Sequence, residues 1–385
     1  MAGIDRNVDC VIVGGGPAGL SAAVYLGRLR RSVAVVDDRD GRSLWSQVTR
    51  NYLGFPAIQA AELRRLGRRQ AASYGACLVE ARAASIERDA GAGTRSVTSG
   101  RGGFLVRLEP PARERPHVAA DDCVSDDCAG TDENVAIEDA GGRGLGEVHP
   151  AGPEVWHART VILATGVRDT FPEFEGRDAC VGRSLFWCIL CDGYESSGRM
   201  VVVVGHDEEA VSTALGLLDF TTRVSIVAGR EAFSVPDSRL QDLVAAGIPA
   251  YASRVAAYPN RDGQIESVVL DDPAGTVLPV DRVFYEGPKH PRSELGAALG
   301  VEMDAAGYIV TDSEQKTNVR GVCAAGDVTR LHGHQVSTAV HEGGMAASAA
   351  NYEMYAPIQK TPGDRQPGDG TVDDPSSERP APGAD

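Results

Sequence analysis

The chain has 385 residues, 42% hydrophobic and 24% charged, which is a globular composition and excludes a disordered chain. Its length predicts two or more domains with real cores, and its net charge of −16 argues against nucleic-acid binding, which needs a basic surface. No apolar run approaches the ~18 residues of a membrane span, and Met1 to Asn7 carries no signal-peptide core, so a cytoplasmic protein without a membrane partner is expected.

In chain order, residues 8–13 read as a buried parallel strand, followed by Gly14-Gly15-Gly16-Pro17-Ala18-Gly19 and a helix to about Arg30. A second strand over 33–36 ends at Asp37-Asp38, completing a βαβ unit. Gly14-x-Gly16-x-x-Gly19 is weak alone. Between a strand and a helix, with Asp37 lying 23 residues after Gly14, it reads as a dinucleotide turn. Gly14 permits the tight turn, Gly16 lets a pyrophosphate approach the backbone, and Gly19 packs helix on strand. The helix N-terminus supplies N–H donors and a positive dipole, and Asp37 can accept from a ribose. The motif leaves FAD and NAD both open.

Residues 104–108 resemble one strand of a small sheet, between segments 88–103 and 110–153 that are rich in Gly, Pro, Ala and acids. Within 121–139 there are eight acidic residues and no Lys or Arg, and 357–385 holds six Pro, six acids and no aromatics. Disorder is expected of 88–103, of 110–153 and of the tail 357–385, because none buries enough apolar surface to offset chain entropy. A strand over 161–164 leads to Thr165-Gly166. A second βαβ unit follows, with a strand at 201–204, a helix over 208–219 and a strand at 224–228.

Between these units lies Cys188-Ile-Leu-Cys191-Asp192-Gly193. Two cysteines at this spacing, at a helix start, can form and break a disulfide, and the helix favours one thiolate. Asp192, beside the second sulfur, can shuttle its proton. Bulky Phe186, Trp187, Ile189 and Leu190 form either an apolar docking surface or core. Zinc would need a second pair, and only Cys123 and Cys128 offer one, so no metal site is assigned. Cys10, Cys77 and Cys323 are expected to stay reduced in the core.

These motifs together resemble the low-molecular-weight thioredoxin reductase family over about 1–87 and 155–355. Gly14 to Gly19 resembles its FAD fingerprint, and Asn51-Tyr-Leu-Gly-Phe-Pro56 its Asn-x-Pro-Gly-Phe-Pro segment near the flavin. Ala164-Thr165-Gly166 and Cys188-x-x-Cys191-Asp192-Gly193 resemble its Ala-Thr-Gly and its redox motif. Gly321-Val-Cys-Ala-Ala-Gly326-Asp327-Val328 resembles its second FAD motif, where the Asp binds the ribityl chain. His334-Gln335-Val336 resembles its Arg-Gln-Ala segment beside the isoalloxazine.

The resemblance implies an α/β protein of two Rossmann-like nucleotide-binding domains of the FAD-linked disulfide reductase type, with a small β insertion, assembled as a homodimer. A discontinuous FAD domain would span 1–166 and 288–356, and a central NADPH-type domain, 167–287, would carry the Cys pair. Cys191 would face the flavin and Cys188 would attack a thioredoxin-like protein or a small disulfide.

Three departures fall on NADPH. The second turn reads Gly205-His206-Asp207-Glu208-Glu209-Ala210, with Asp207 where the family has its middle Gly. Of the family's 2′-phosphate cations only Arg230 remains among Ala228, Gly229, Arg230 and Ser234, and Tyr285-Glu286-Gly287-Pro288 departs from Ile-Gly-x-x-Pro. Loss of ordinary NADPH binding is expected. Ferredoxin or another redox protein is then a candidate donor, with Arg64, Arg65, Arg68 and Arg69 as one candidate docking cluster, although a plain solvated helix face is the stronger reading of those arginines. An ordinary NADPH reductase, an oxygen-using dithiol oxidase and a flavin redox sensor without turnover stay open.

Overall fold

The computed structural model describes residues 6–89, 103–111, 152–330 and 332–361. The expected disorder of 88–103, of 110–153 and of the tail, and the Cys123–Cys128 pair, fall largely or wholly outside them, though Arg88 is described and ends the strand Arg82–Arg88. The start of the predicted tail is described: Pro357–Gln359 forms one 3₁₀ turn, and Lys360 is buried with its ammonium over the Tyr352 ring.

The strand Asn7–Val13 leads into the helix Pro17–Arg28, and Val33–Asp37 returns parallel to the first strand. Pro17 suits the first helical position, where its missing N–H has no partner to lose. Cys77–Glu80 adds a further parallel strand outside Val33–Asp37. These strands alternate apolar residues to both faces, as buried parallel strands must. Val11, Val13, Ala34 and Val36 join one core cluster; Cys10, Ile12, Val33 and Val35 join the other, beneath the helices.

The strand expected over 161–164 is the end of a longer one, Glu154–Leu163. One edge of it pairs with Asn7–Val13. Its other edge is shared: Glu154 to Ala158 pair antiparallel with Phe104–Glu109, and Val161 to Leu163 pair parallel with Val322–Ala324. The predicted small β insertion is therefore continuous with the nucleotide sheet, making seven strands in all. A ten-residue strand spans both jobs.

A second sheet of five parallel strands runs Leu185–Phe186, Arg282–Tyr285, Val201–Val204, Val224–Val227, Ala250–Tyr251. Its helix Glu208–Gly216 ends in a 3₁₀ turn, Leu217–Asp219, within the range predicted as one helix. The two chain crossings between the sheets, Val167–Asp169 and Lys289–Pro291, pair with each other as an antiparallel ribbon.

The helices Pro17–Arg28 and Val336–Glu353 pack closely where the second carries Gly343. A Cβ there would lie 2.1 Å from the Ala18 carbonyl oxygen, and Ser21 Oγ donates to the Val340 carbonyl at 2.7 Å. Replacing Gly343 by valine should destabilise the protein by about 1–3 kcal/mol, the usual cost of overpacking, read as a lower midpoint in chemical denaturation.

Candidate active site

Except for Gly19, the residues of the FAD-type motifs (Gly14, Gly16, Pro17, Ala18, Asp37, Asn51, Thr165, Gly166, Gly326, Asp327, His334, Gln335 and Val336) and Cys188, Cys191 and Asp192 all line one cleft of about 1130 Å³, whereas the arginines of 64–69 and the second turn, 205–210, lie outside it. Gly19 lies beneath the turn, where a Cβ would fall 1.9 Å from the Gly14 carbonyl oxygen. Gly14 takes φ +107°, and its own Cβ would meet the Ala164 oxygen at 2.2 Å. The first turn and the end of the Glu154–Leu163 strand are thus in backbone contact, which only glycine allows. Gly326, at φ +81°, brings the later Gly326-Asp327 turn against Ala18. Glu342 holds that turn from below. It is 1% exposed, accepts from the Gly326 N–H at 2.7 Å and Thr329 Oγ1 at 3.1 Å, and ion-pairs with Arg330.

Asp37 stands at one end of the cleft, 7% exposed, and its carboxylate pairs with Arg64 and, at 3.7 Å, with Arg68. Arg65 pairs with Glu62. Of the four arginines on the helix Ala60–Ser73, Arg64 and Arg68 therefore turn inward to Asp37, which fits neither a solvated face nor an outward docking cluster for those two. Arg42 lies midway, with Nε 2.6 Å from Asp169 Oδ2 and Nη1 3.2 Å from Asp327 Oδ2. It joins the cleft wall to the interdomain ribbon. Thr165 Oγ1 does similar work, donating to the Arg292 carbonyl at 2.6 Å. His334 Nε2 lies 2.6 Å from the Arg330 carbonyl, which makes it the protonated nitrogen, and burial lowers the ring's pKa.

At the other end Cys188 and Cys191 form a disulfide with Cα atoms 5.3 Å apart. Gln335 Nε2 lies 3.5 and 3.6 Å from the two sulfurs, and Asn51 Nδ2 donates to Gln335 Oε1 at 2.8 Å. Asp192 follows in a pocket with Glu195, Arg282 and Arg50, and burial pushes its carboxyl up to about 7. Of the four bulky neighbours, Phe186 is core, Trp187 packs edge-on against Phe171, and Ile189 packs on the second sheet's core. Leu190 alone is exposed, at 72%. Cys10, Cys77, Cys180 and Cys323 are buried free thiols. Among the described residues no His/Cys/Asp/Glu group could hold a metal.

The second nucleotide turn is different. Asp207 caps its helix, accepting from the Ala210 N–H at 3.1 Å. Glu208 pairs with Arg239 at 2.7 Å, and Glu209 with Lys289 of the ribbon. Glu286 is 8% exposed, accepts from Thr213 Oγ1 at 2.7 Å, and burial raises its carboxyl to about 7. Its second oxygen has no hydrogen bond and lies 3.8 Å from Lys289 Nζ.

Arg42, Glu342 and Glu195 were not legible as site residues. Arg42 stands in a stretch without motif or periodicity. Glu342 carried one signal: it is the sole acid within the Ala- and Gly-rich run 339–350.

A cradle for a dinucleotide, sharing one cleft with a disulfide on a second nucleotide fold, defines a flavin disulfide oxidoreductase. The chain matches the pyridine nucleotide-disulphide oxidoreductase family over residues 8–343 and belongs to it. It is 26% identical to a thioredoxin reductase of Listeria innocua over 359 residues, 91% of this chain and 95% of that protein. It is 27% identical to a thioredoxin reductase of Treponema pallidum, over 90% of this chain and 97% of that protein. The crystal structure of HlmI matches with a TM-score of 0.72 at 26% identity, covering 91% of this chain and 93% of that one. Among the described residues, no helix is long and apolar enough to cross a membrane.

Asp192 generates a pH prediction. With its carboxyl raised to about 7 from an unfolded value of about 3.9, the folded protein binds the extra proton between those values. Its contribution to stability therefore falls as pH rises from about 4 to 7. Asp192→Asn should remove that part of the slope, leaving the part due to Glu286, in denaturation series at pH 5 and pH 8.

Proposed function

We propose that this protein is an FAD-dependent dithiol/disulfide oxidoreductase whose electrons pass through Cys188–Cys191 and not through a dinucleotide bound at the second turn. The observation that carries this reading is the state of that turn: Asp207 already takes a helix N–H, and Glu208 and Glu209 add two carboxylates to the helix start and occupy the cations Arg239 and Lys289. Like charges about 5 Å apart cost roughly 1 kcal/mol each in water and more where water is excluded.

The first turn fits a flavin dinucleotide. A Cβ on Gly16 would meet nothing within 4 Å, so the backbone there faces open space. The cleft volume exceeds the roughly 300–1,000 Å³ of ordinary small-ligand pockets. The first-turn residues Gly14, Gly16, Pro17, Ala18 and Gly19 would form the pyrophosphate cradle, and Asp37 would meet the ribose. Asn51, Thr165, Gly166, Gly326, Asp327, His334, Gln335 and Val336 would line the rest. When bound, FAD supplies two-electron exchange with the disulfide. Asp192, proton-bearing near neutral pH, is placed to protonate the leaving sulfur of the opened pair.

The partner reading follows from Leu190, exposed between the cysteines, and from the inward pairing of Arg64 and Arg68. Both favour a thiol partner, a thioredoxin-like protein or a small dithiol, over a ferredoxin docked on that helix. A dithiol would reduce the pair and become a disulfide, and oxygen would accept the two electrons and two protons as peroxide.

The purified protein should be yellow with FAD. Under anaerobic conditions dithiothreitol should bleach it rapidly and micromolar NADPH slowly; rapid bleaching by NADPH would return the protein to the NADPH reductase reading. Cys191→Ser should reduce dithiol-driven bleaching at least 100-fold while keeping the flavin. Combining Asp207→Gly, Glu209→Ser and Ser234→Arg should improve reduction by NADPH. Gly229 is left in place because its φ of +69° would strain an arginine.

A further inference from the structure

The sulfurs of the central domain are met from the FAD-type domain by a single carboxamide. Gln335 Nε2 is within 3.5 Å of Cys188 Sγ and 3.6 Å of Cys191 Sγ. Its orientation is fixed. Asn51 Nδ2 donates to Gln335 Oε1 at 2.8 Å, so the NH₂ end is the one nearer both sulfurs, while the oxygen lies 3.8 Å from Cys191 Sγ. The same Asn51 nitrogen donates to the Leu190 carbonyl at 3.2 Å, inside the loop between the two cysteines. The Gln335 main-chain N–H donates to Thr338 Oγ1 at 3.2 Å, which anchors its backbone at the start of the Val336–Glu353 helix.

A disulfide sulfur is a weak acceptor, and a thiolate is a strong, charge-assisted one. Two electrons delivered by a dithiol, itself oxidised to a disulfide, break the Cys188–Cys191 bond. One sulfur takes up a proton and the other remains an anion. The N–H contact is therefore worth more after the bond opens than before, which is the condition for it to favour the open form. We propose that Gln335, held in orientation by Asn51, is the hydrogen-bond donor that stabilises the thiolate of the opened Cys188–Cys191 pair. This gives both residues a role toward the disulfide besides any toward the flavin, and it rests on the reading that the pair cycles.

The charged and titratable groups around the pair are Asp192, Glu195, Arg282, Arg50 and His334. All are unchanged in the variants that follow, so a difference between variants reports the amide.

The test uses the holoprotein, opened with dithiothreitol without oxygen and alkylated with iodoacetamide from pH 4 to 10. Mass spectrometry reads the Cys188 and Cys191 peptides separately. Gln335→Met keeps the length and loses the donor, so the alkylation midpoint of the more reactive cysteine should rise by about one pH unit or more. Gln335→Glu, which sets an anion against the sulfurs, should raise it further. Asn51→Ala, which frees the amide to turn over, should give a smaller rise. An unmoved midpoint in Gln335→Met and Asn51→Ala, with both peptides labelled only after reduction, overturns the inference and leaves the redox pair standing. Full labelling of both cysteines before reduction overturns the redox pair itself.

Discussion

The fold depends on one strand with three neighbours. Glu154–Leu163 is hydrogen-bonded along one edge to Asn7–Val13, and its other edge is divided between Phe104–Glu109 and Val322–Ala324. It thereby joins segments from the beginning, middle and end of the chain into one sheet. Its last residues set the site: the chain leaves it through Ala164, whose oxygen touches the Gly14 turn, and Thr165, whose hydroxyl holds the returning crossing at Arg292. Hydrogen-bond satisfaction forces this economy, since an unpaired strand edge at the centre of a buried sheet would leave backbone groups without partners.

The site itself belongs to neither domain alone. The open turn follows a strand of the first sheet, Gln335 caps the helix Val336–Glu353 and Asn51 lies in the bend after Val48–Thr49, whereas the sulfurs and Asp192 lie on the short helix Ile189–Asp192 and its cap, just after the second sheet's strand Leu185–Phe186. What brings them together is a set of modest polar contacts across the gap: Asn51 to the Leu190 carbonyl at 3.2 Å, Arg50 to Glu195 at 3.5 Å, and Gln47 to the Val181 carbonyl at 3.4 Å. Trp45, Phe171 and Trp187 add a short aromatic cluster of tilted and edge-on rings, with ring centroids 5.9 and 5.2 Å apart. Such a boundary resembles a transient interface more than a core.

Local chemistry was readable in the sequence where the backbone demands one residue type. Gly14, Gly19 and Gly326 announce themselves because a side chain at each would collide with main chain or with Ala18. The cysteine spacing announces itself because the short loop brings the sulfurs into bonding range. The partners that fix these groups were not readable. Asp37 stood as a ribose acceptor, yet its salt bridges to Arg64 and Arg68 depend on how the helix Ala60–Ser73 docks. Arg42 meets Asp327 across 285 positions of sequence. The long strand was cut short for a related reason. Its first seven residues, Glu-Val-Trp-His-Ala-Arg-Thr, mix polar and apolar residues and follow a low-complexity stretch, so only its uniformly apolar end stood out.

Lys289 sits on the returning crossing of the ribbon, while its partners Glu209 and Glu286 sit on the central fold. An anion arriving at the second turn would compete with Glu209 and Glu286 for this cation. Occupancy of that turn and stiffness of the connection between the two domains are then linked equilibria, with the coupling reciprocal by necessity. The Lys289 bridge changes binding at that turn by the same factor as binding there changes the bridge.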